Sequence, residues 1–291
     1  MKVNTERLPH WFVKPIPRGL IFKQVKEVVS NFGLNTVCVA ANCPNLGECF
    51  SRGTVTLMIL GDICTRNCRF CSVRQGIPST PLQDEPERVA SAVKKLKSSY
   101  VVITSVTRDD LPDRGASQFT LTVEAIKKKS SETVVEILTP DFEGKDSSVS
   151  QVLKAKPDVF GHNIETVPRL YPLVRPQANY KTSLNILRQA KEKTPLIKLK
   201  SGLMLGLGEG EDEVIQTMKD LRAAGCEILT IGQYLKPSKK CLPVRRYVLP
   251  HEFDKLRKIA EEMRFFSVAA EPLARSSYYA EKLYFKKGFN N

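Results

Sequence analysis

From residue 55 to about residue 240 the chain alternates short runs of apolar, largely β-branched residues with longer stretches in which apolar positions recur every three or four residues. The runs span 55–60, 100–106, 133–138, 158–164, 197–205 and 227–233. Between them helices are predicted near 85–98, 117–130, 146–155, 180–193 and 211–224, with another near 251–264 after the last run. Val89, Val93 and Leu96 share one face of the first helix, and Leu184, Leu187 and Ala190 one face of the fourth. Thr182 and Ser183 are expected to cap that fourth helix, and Gly225 stands where the fifth should end.

Strands and helices in strict alternation imply parallel strands joined by helical crossovers. The expected fold is α/β, a partial (β/α)6 TIM-type barrel over 55–240 with extensions at 1–54 and 241–291, although an open doubly wound sheet shares the pattern. In either architecture the chemistry belongs at the C-terminal ends of the strands. Polar groups do gather there: Cys64 to Cys71 follows the first run, Thr107-Arg108-Asp109-Asp110 follows the second, and Asn163-Ile164-Glu165 closes the fourth.

Composition changes this picture little. The chain has 291 residues, 42% hydrophobic and 26% charged, as ordinary globular proteins do. No stretch reaches the ~20 apolar residues that span a bilayer, and Met1 to Phe12 has no apolar signal core, so no membrane association and a cytoplasmic location are expected. The net charge of +14 is spread over many segments without an arginine-rich arm or an RNA-binding signature, so nucleic acid is not expected. An acidic macromolecular partner and a merely solvated basic surface account for it equally.

The cysteines change it most. Six of the eight fall between Cys38 and Cys71, in two triplets, Cys38-x4-Cys43-x5-Cys49 and Cys64-x3-Cys68-x2-Cys71. Such bunching points to metal in a reducing compartment rather than to a disulfide scaffold. Each triplet is one short of the four ligands that a closed iron–sulfur or zinc site takes. The only histidines, His10, His162 and His251, stand far from the second triplet, which argues against a zinc knuckle. Three thiolates on one tight loop leave a corner of a [4Fe–4S] cube open for a cofactor.

The second triplet, placed after the first strand of a βα barrel, resembles the radical S-adenosylmethionine enzymes. The resemblance implies that Cys64, Cys68 and Cys71 hold a [4Fe–4S] cluster whose open iron binds S-adenosylmethionine, with Phe70 beside it. In that family an electron from the cluster cleaves the sulfonium, and the 5′-deoxyadenosyl radical so formed takes hydrogen from carbon.

The first triplet, together with Arg275-Ser276-Ser277-Tyr278, narrows the resemblance to the lipoyl synthase family. Further matching segments are Gly61-Asp62-Ile63-Cys64, Thr104 to Leu111, His162 to Thr166, Val174-Arg175-Pro176, Lys200 to Gly206 and Gly232 to Leu235. Arg114 departs from the pattern, standing where a glycine is expected. What the resemblance implies is an auxiliary [4Fe–4S] cluster on Cys38, Cys43 and Cys49, with Ser277, in preference to Ser276, as its fourth ligand. It implies a sulfurtransferase that inserts sulfur at C6 and C8 of an octanoyl group on a lipoyl carrier domain, of a 2-oxoacid dehydrogenase E2 or a glycine cleavage H protein. Two S-adenosylmethionine molecules are spent per lipoyl group, and an electron donor such as flavodoxin or ferredoxin is required. An alkoxide or hydroxyl suits iron–sulfur sites less well than thiolate, so a cluster held that way should be the easier to dismantle.

Asn163, Glu165 and Arg175 are candidate contacts to the cofactor, with buried, satisfied polar groups at the barrel rim as the alternative. His162 is expected to be structural and Cys226 a core residue, while Cys241 has no partner at ligand spacing. Gly206, Gly208 and Gly210 fit a strand-to-helix turn better than a phosphate loop, lacking both the P-loop ending and the dinucleotide spacing. A sulfur-inserting radical enzyme acting on dethiobiotin lacks a use for the first triplet, and a two-cluster electron carrier would need more ligands than six cysteines and no substrate-sized barrel.

Overall fold

The computed structural model describes residues 8–14 and 19–286; residues 1–7, 15–18 and 287–291 of the two predicted extensions lie outside them. A 3-10 turn (His10–Phe12) is followed by α1 (Leu20–Asn31), the two-residue β1 (Asn35–Thr36) and the short helices α2 (Val37–Ala40) and α3 (Leu46–Ser51). After β2 (Thr56–Ile59) comes a small parallel ribbon of β3 (Ile63–Cys64) and β4 (Arg74–Gln75). Alternation then runs through α4 (Glu85–Leu96), β5 (Tyr100–Ser105), α5 (Ala116–Lys129), β6 (Val134–Leu138), α6 (Asp146–Lys154), β7 (Val159–Gly161), α7 (Tyr171–Val174), α8 (Tyr180–Lys193), β8 (Lys198–Leu205), α9 (Glu211–Ala223) and β9 (Ile228–Gln233). The chain continues with α10 (Pro250–Glu262), β10 (Ser267–Ala270) and α11 (Ala280–Phe285).

One eight-stranded sheet in the order β1-β2-β5-β6-β7-β8-β9-β10 organises these elements. Every pair from β2 to β10 is parallel, and β1 lies antiparallel along β2. Helices cover the outer face, so the strands are buried on both sides and read as near-continuous apolar runs: β2 and β9 have no exposed position. The helices obey local chemistry. α4 carries Glu85 and Glu87 in its first turn, Pro86 near its start, Lys94 and Lys95 in its last turn, and ends on left-handed Lys97.

All six predicted runs form neighbouring parallel strands in chain order, as a barrel-type α/β fold requires. The extensions do more than wrap it: β1 and β10, one from each, add strands at opposite edges of the sheet. Helix α1 was not anticipated, although Phe22, Val25 and Val29 share a face that packs inward. Three local expectations are corrected. α8 is capped by Asn179, whose side chain accepts from the Thr182 amide, so Thr182 and Ser183 lie inside the helix and Ser183 is free to bond His162. The run at 158–164 pairs as a strand only over β7, and Asn163-Ile164-Glu165 lies beyond it. Pairing returns only as a single bridge between Glu165, at φ 67°, and Leu203. Finally, the first triplet's segment, which shows no hydrophobic period in sequence, is partly helical: Cys38 lies on α2 and Cys49 on α3, with Cys43 between them.

The barrel interior is not wholly apolar. Lys200 of β8 and Glu136 of β6 form a fully buried ion pair, with Nζ 2.8 and 2.9 Å from the two carboxylate oxygens, and Tyr100 donates to the same carboxylate. No described helix is long and apolar enough to cross a membrane.

Candidate active site

The C-terminal ends of the strands surround a cavity of about 410 Å³. Cys64, Cys68 and Cys71 line it from one side, Cys38 and Cys43 from another, and Arg275, Ser276 and Ser277 close it from the C-terminal segment. Cys49, on α3, is close enough to Cys38 and Cys43 that each thiolate would oppose its ionisation. All eight cysteines are free thiols, so none of the six is committed to a disulfide. Burial pushes Cys38 and Cys68 up, and Cys49 and Cys71 up to about 12. A metal cluster bound here would have to displace those protons.

The loop from Cys64 to Cys71 is held rigidly. Arg66, between the first two cysteines, is buried and bonds Asp109 at 2.7 and 2.9 Å and Asp141 at 2.6 Å. Burial alone would raise the Asp141 carboxyl, but the Arg66 guanidinium against it brings it down to about 2. The backbone amides of Arg66 and Thr107 donate to the Cys64 sulfur at 3.4 and 3.3 Å, as they would to a thiolate ligand. Cys241 lies beside the loop: its thiol donates to the Cys71 carbonyl at 3.4 Å. Neither Arg66 nor Asp141 was singled out from the sequence. Asp141 follows the third run, and Arg66 stands inside the triplet itself, which is the signal that could have marked it.

Opposite the loop, Asn163, Glu165 and Arg175 all line the cavity. Arg175 donates to the Asn163 carbonyl at 3.2 Å and to Tyr171 Oη at 3.0 Å, yet its Nε is buried without a partner. Ser105 Oγ, also on the cavity wall, is likewise buried and unpartnered. Burial raises the Glu165 carboxyl, opposed by Arg175, Asn163 and Arg275. The wall is hollowed at Gly202, where a Cβ would come within 2.8 Å of both Asn163 Oδ1 and Thr230 Oγ1. Orphaned donors, a hollowed wall and six thiols together suit a polar cofactor and iron–sulfur clusters. Phe70 packs its ring at the core boundary beside the loop.

His162 also lines the cavity, but both ring nitrogens are engaged: Nδ1 with the Thr139 carbonyl at 2.9 Å and Nε2 with Ser183 Oγ at 3.0 Å. Cys226 is fully buried in the core. Of the two serines near the C-terminus, Ser276 donates to Asn163 Oδ1 at 3.0 Å, whereas among the described residues the Ser277 hydroxyl has no partner.

A model of the radical SAM superfamily matches residues 58–221, more than half of the chain. A lipoyl synthase of Caldanaerobacter subterraneus subsp. tengcongensis is 52% identical over 278 residues, covering 95% of this chain and 97% of the relative. One from Desulfotalea psychrophila is 50% identical, covering 96% and 93%. Among solved structures, methylornithine synthase (PylB) aligns with a TM-score of 0.56 at 13% identity over 86% of this chain and 75% of that one. The hydrogenase maturase HydG aligns at 0.57 and 14% over 86% and 63%. At such identities these two speak only for the fold, a radical SAM type of barrel. Near-complete coverage at half identity goes further: the chain belongs to the lipoyl synthase family of the radical SAM superfamily.

Proposed function

We propose that the two cysteine triplets hold two [4Fe–4S] clusters that do different work in one cavity, and that the chain uses them to insert sulfur at C6 and C8 of an octanoyl group on a carrier domain. The observation that carries this reading is the shared cavity, onto which Cys64, Cys68 and Cys71, Cys38 and Cys43 of the first triplet, and Ser277 open. One cavity lined from both triplets would let a single acyl chain be presented to the groups that Cys64, Cys68 and Cys71 would hold and to those that the first triplet would hold. Cys64, Cys68 and Cys71 would hold the first cluster, and Cys38, Cys43, Cys49 and Ser277 the auxiliary one. When bound, the first cluster and S-adenosylmethionine supply one-electron cleavage and hydrogen abstraction, two cofactor molecules per lipoyl group, and the auxiliary cluster supplies the sulfur.

The chain's own residues bind and orient. Arg66, Asp109 and Asp141 keep the cysteine loop in one conformation. Arg175 Nε and Ser105 Oγ offer donors to the carboxylate and hydroxyl groups of the cofactor, Asn163 and Glu165 offer acceptors, and Phe70 covers one side. The strand ends and the C-terminal segment exclude water from chemistry that it would quench. In domain terms, 55–240 acts as the radical barrel, while 1–54 and 241–291 act as two arms of the auxiliary site.

Partners follow from charge. Lys236 stands on the cavity rim and, with Lys239, Lys240 and Arg69, is exposed and without an ion pair among the described residues. Such a rim suits an acidic lipoyl carrier domain of the E2 or H-protein kind, and an acidic electron donor such as flavodoxin or ferredoxin. Six free thiols and oxygen-sensitive chemistry fit the cytoplasm.

The test is anaerobic reconstitution followed by turnover with an octanoylated carrier domain and S-adenosylmethionine. About eight irons per chain, 5′-deoxyadenosine and lipoyl product are expected. Iron near four per chain with no substrate-dependent deoxyadenosine would refute the reading.

A further inference from the structure

The serine-bearing segment and the first cysteine triplet come from opposite ends of the chain, and one carboxylate joins them. Glu48, immediately before Cys49, accepts from Tyr278 Oη at 2.8 Å and from Tyr279 Oη at 3.1 Å through Oε1. Its other oxygen takes the Lys14 ammonium at 2.5 Å, and Lys14 also reaches Tyr278 Oη at 3.0 Å and Asn45 Oδ1 at 2.8 Å. Asn45, buried between Cys43 and Cys49, donates from Nδ2 to the Leu273 carbonyl at 2.7 Å. Arg52 stacks over the Tyr279 ring at 3.9 Å and lies 3.6 Å from Glu48. Two separate segments, one at Lys14 and one from Leu273 to Tyr279, therefore meet on the five residues between Cys43 and Cys49. Tyr278 follows Ser277 directly, so fixing its ring fixes the serine.

We propose that Glu48, with Tyr278 and Tyr279, is a clasp that positions Ser277 over the first triplet, and so sets how firmly the auxiliary cluster is retained. This rests on the reading that Cys38, Cys43, Cys49 and Ser277 hold that cluster. Glu48 is a positioning residue: it acts through the tyrosines and touches no reacting atom. The clasp shares none of the anchors Arg66, Asp109 and Asp141 that hold the Cys64 to Cys71 loop.

The experiment compares the reconstituted full-length chain with Tyr278→Phe/Tyr279→Phe, Glu48→Ala and Cys43→Ala. Iron per chain is counted, the rate at which a chelator removes it is followed, and iron Mössbauer spectra are recorded. Phenylalanine keeps both rings and removes only the hydroxyls, so it guards against a misfolded Glu48 variant. Cys43→Ala should bind about half the iron of the unmodified chain. The clasp variants should load fully, then release half of their iron about tenfold faster, as loss of about 1.4 kcal/mol would give, and lose the spectral component of the one oxygen-bound iron. The other half should leave at the unmodified rate. Full iron in Cys43→Ala would overturn the two-cluster reading and the clasp with it. Half iron in Cys43→Ala with unchanged release from the clasp variants would overturn the clasp alone.

Discussion

Both ring nitrogens of His162 are engaged and the ring is buried beside Arg175, an environment that disfavours a second proton. Burial and nearby Arg175 push its pKa down to about 4, against the pull of Asp141 and the Thr139 carbonyl. A histidine depressed in the fold contributes stability that is fully present above about pH 6.5, the unfolded value, and lost as pH falls toward 4. Urea unfolding should therefore show a loss of about 2 kcal/mol between pH 7.5 and 5 that is absent in His162→Gln. An equal pH dependence in the two would contradict this. Arg114, the departure from the family pattern, sits at φ 58°, the left-handed conformation that explains a glycine there. Its guanidinium is tied at 2.6 Å to Glu143 and at 2.5 Å to the Leu111 carbonyl. Arg114→Gly should change stability by less than about 1 kcal/mol, while Arg114→Val, β-branched in that region, should cost about 2. The Arg114 conformation could not be read from its side chain. The grouping of the six cysteines could, because their spacing is visible in the sequence and the cavity gathers five of them.

Among the elements, the strands were legible because a buried parallel strand shows as an unbroken apolar run, and the helices because one face must be apolar. What stayed hidden depends on contacts distant in sequence. The Cys64 to Cys71 loop is ordered by aspartates 43 and 75 residues away from Arg66. Arg66→Ala leaves Asp141 buried without its partner and should lower stability by about 3 kcal/mol, with loss of about half of the bound iron on reconstitution; a fully loaded variant would show that the anchor is dispensable. Gly232 was part of a recognisable segment, but its reason is tertiary. The C-terminal segment crosses β9 so closely that a Cβ would stand 2.0 Å from the Ala274 carbonyl. Gly232→Ala should displace that segment and make the auxiliary iron chelator-labile, leaving the iron of the first cluster in place. Retention of both sets would mean that the close approach does not position Ser277.

For the molecule as a whole, the fold brings thiols of two cysteine triplets to one cavity, one triplet on the barrel loop and the other packed against the C-terminal segment. The net charge of +14 includes Lys236 on the rim of that cavity and the nearby exposed Lys239 and Lys240, none in an ion pair among the described residues. With limiting acidic carrier, the rate of product formation should fall steeply as salt shortens the screening length from about 30 Å at 0.01 M to about 8 Å at 0.15 M. Lys236→Glu/Lys239→Glu/Lys240→Glu should reduce both that rate and its salt dependence, and a rate indifferent to salt would remove the rim from the account. The division of labour between the two sites is probed most directly by measuring 5′-deoxyadenosine and lipoyl product together in two single-cysteine variants. Cys43→Ala should still cleave S-adenosylmethionine while making no lipoyl product, and Cys68→Ala should do neither. Sulfur insertion by Cys43→Ala, or its loss of cofactor cleavage at full occupancy of the first cluster, would contradict the assignment of one triplet to the radical and the other to sulfur.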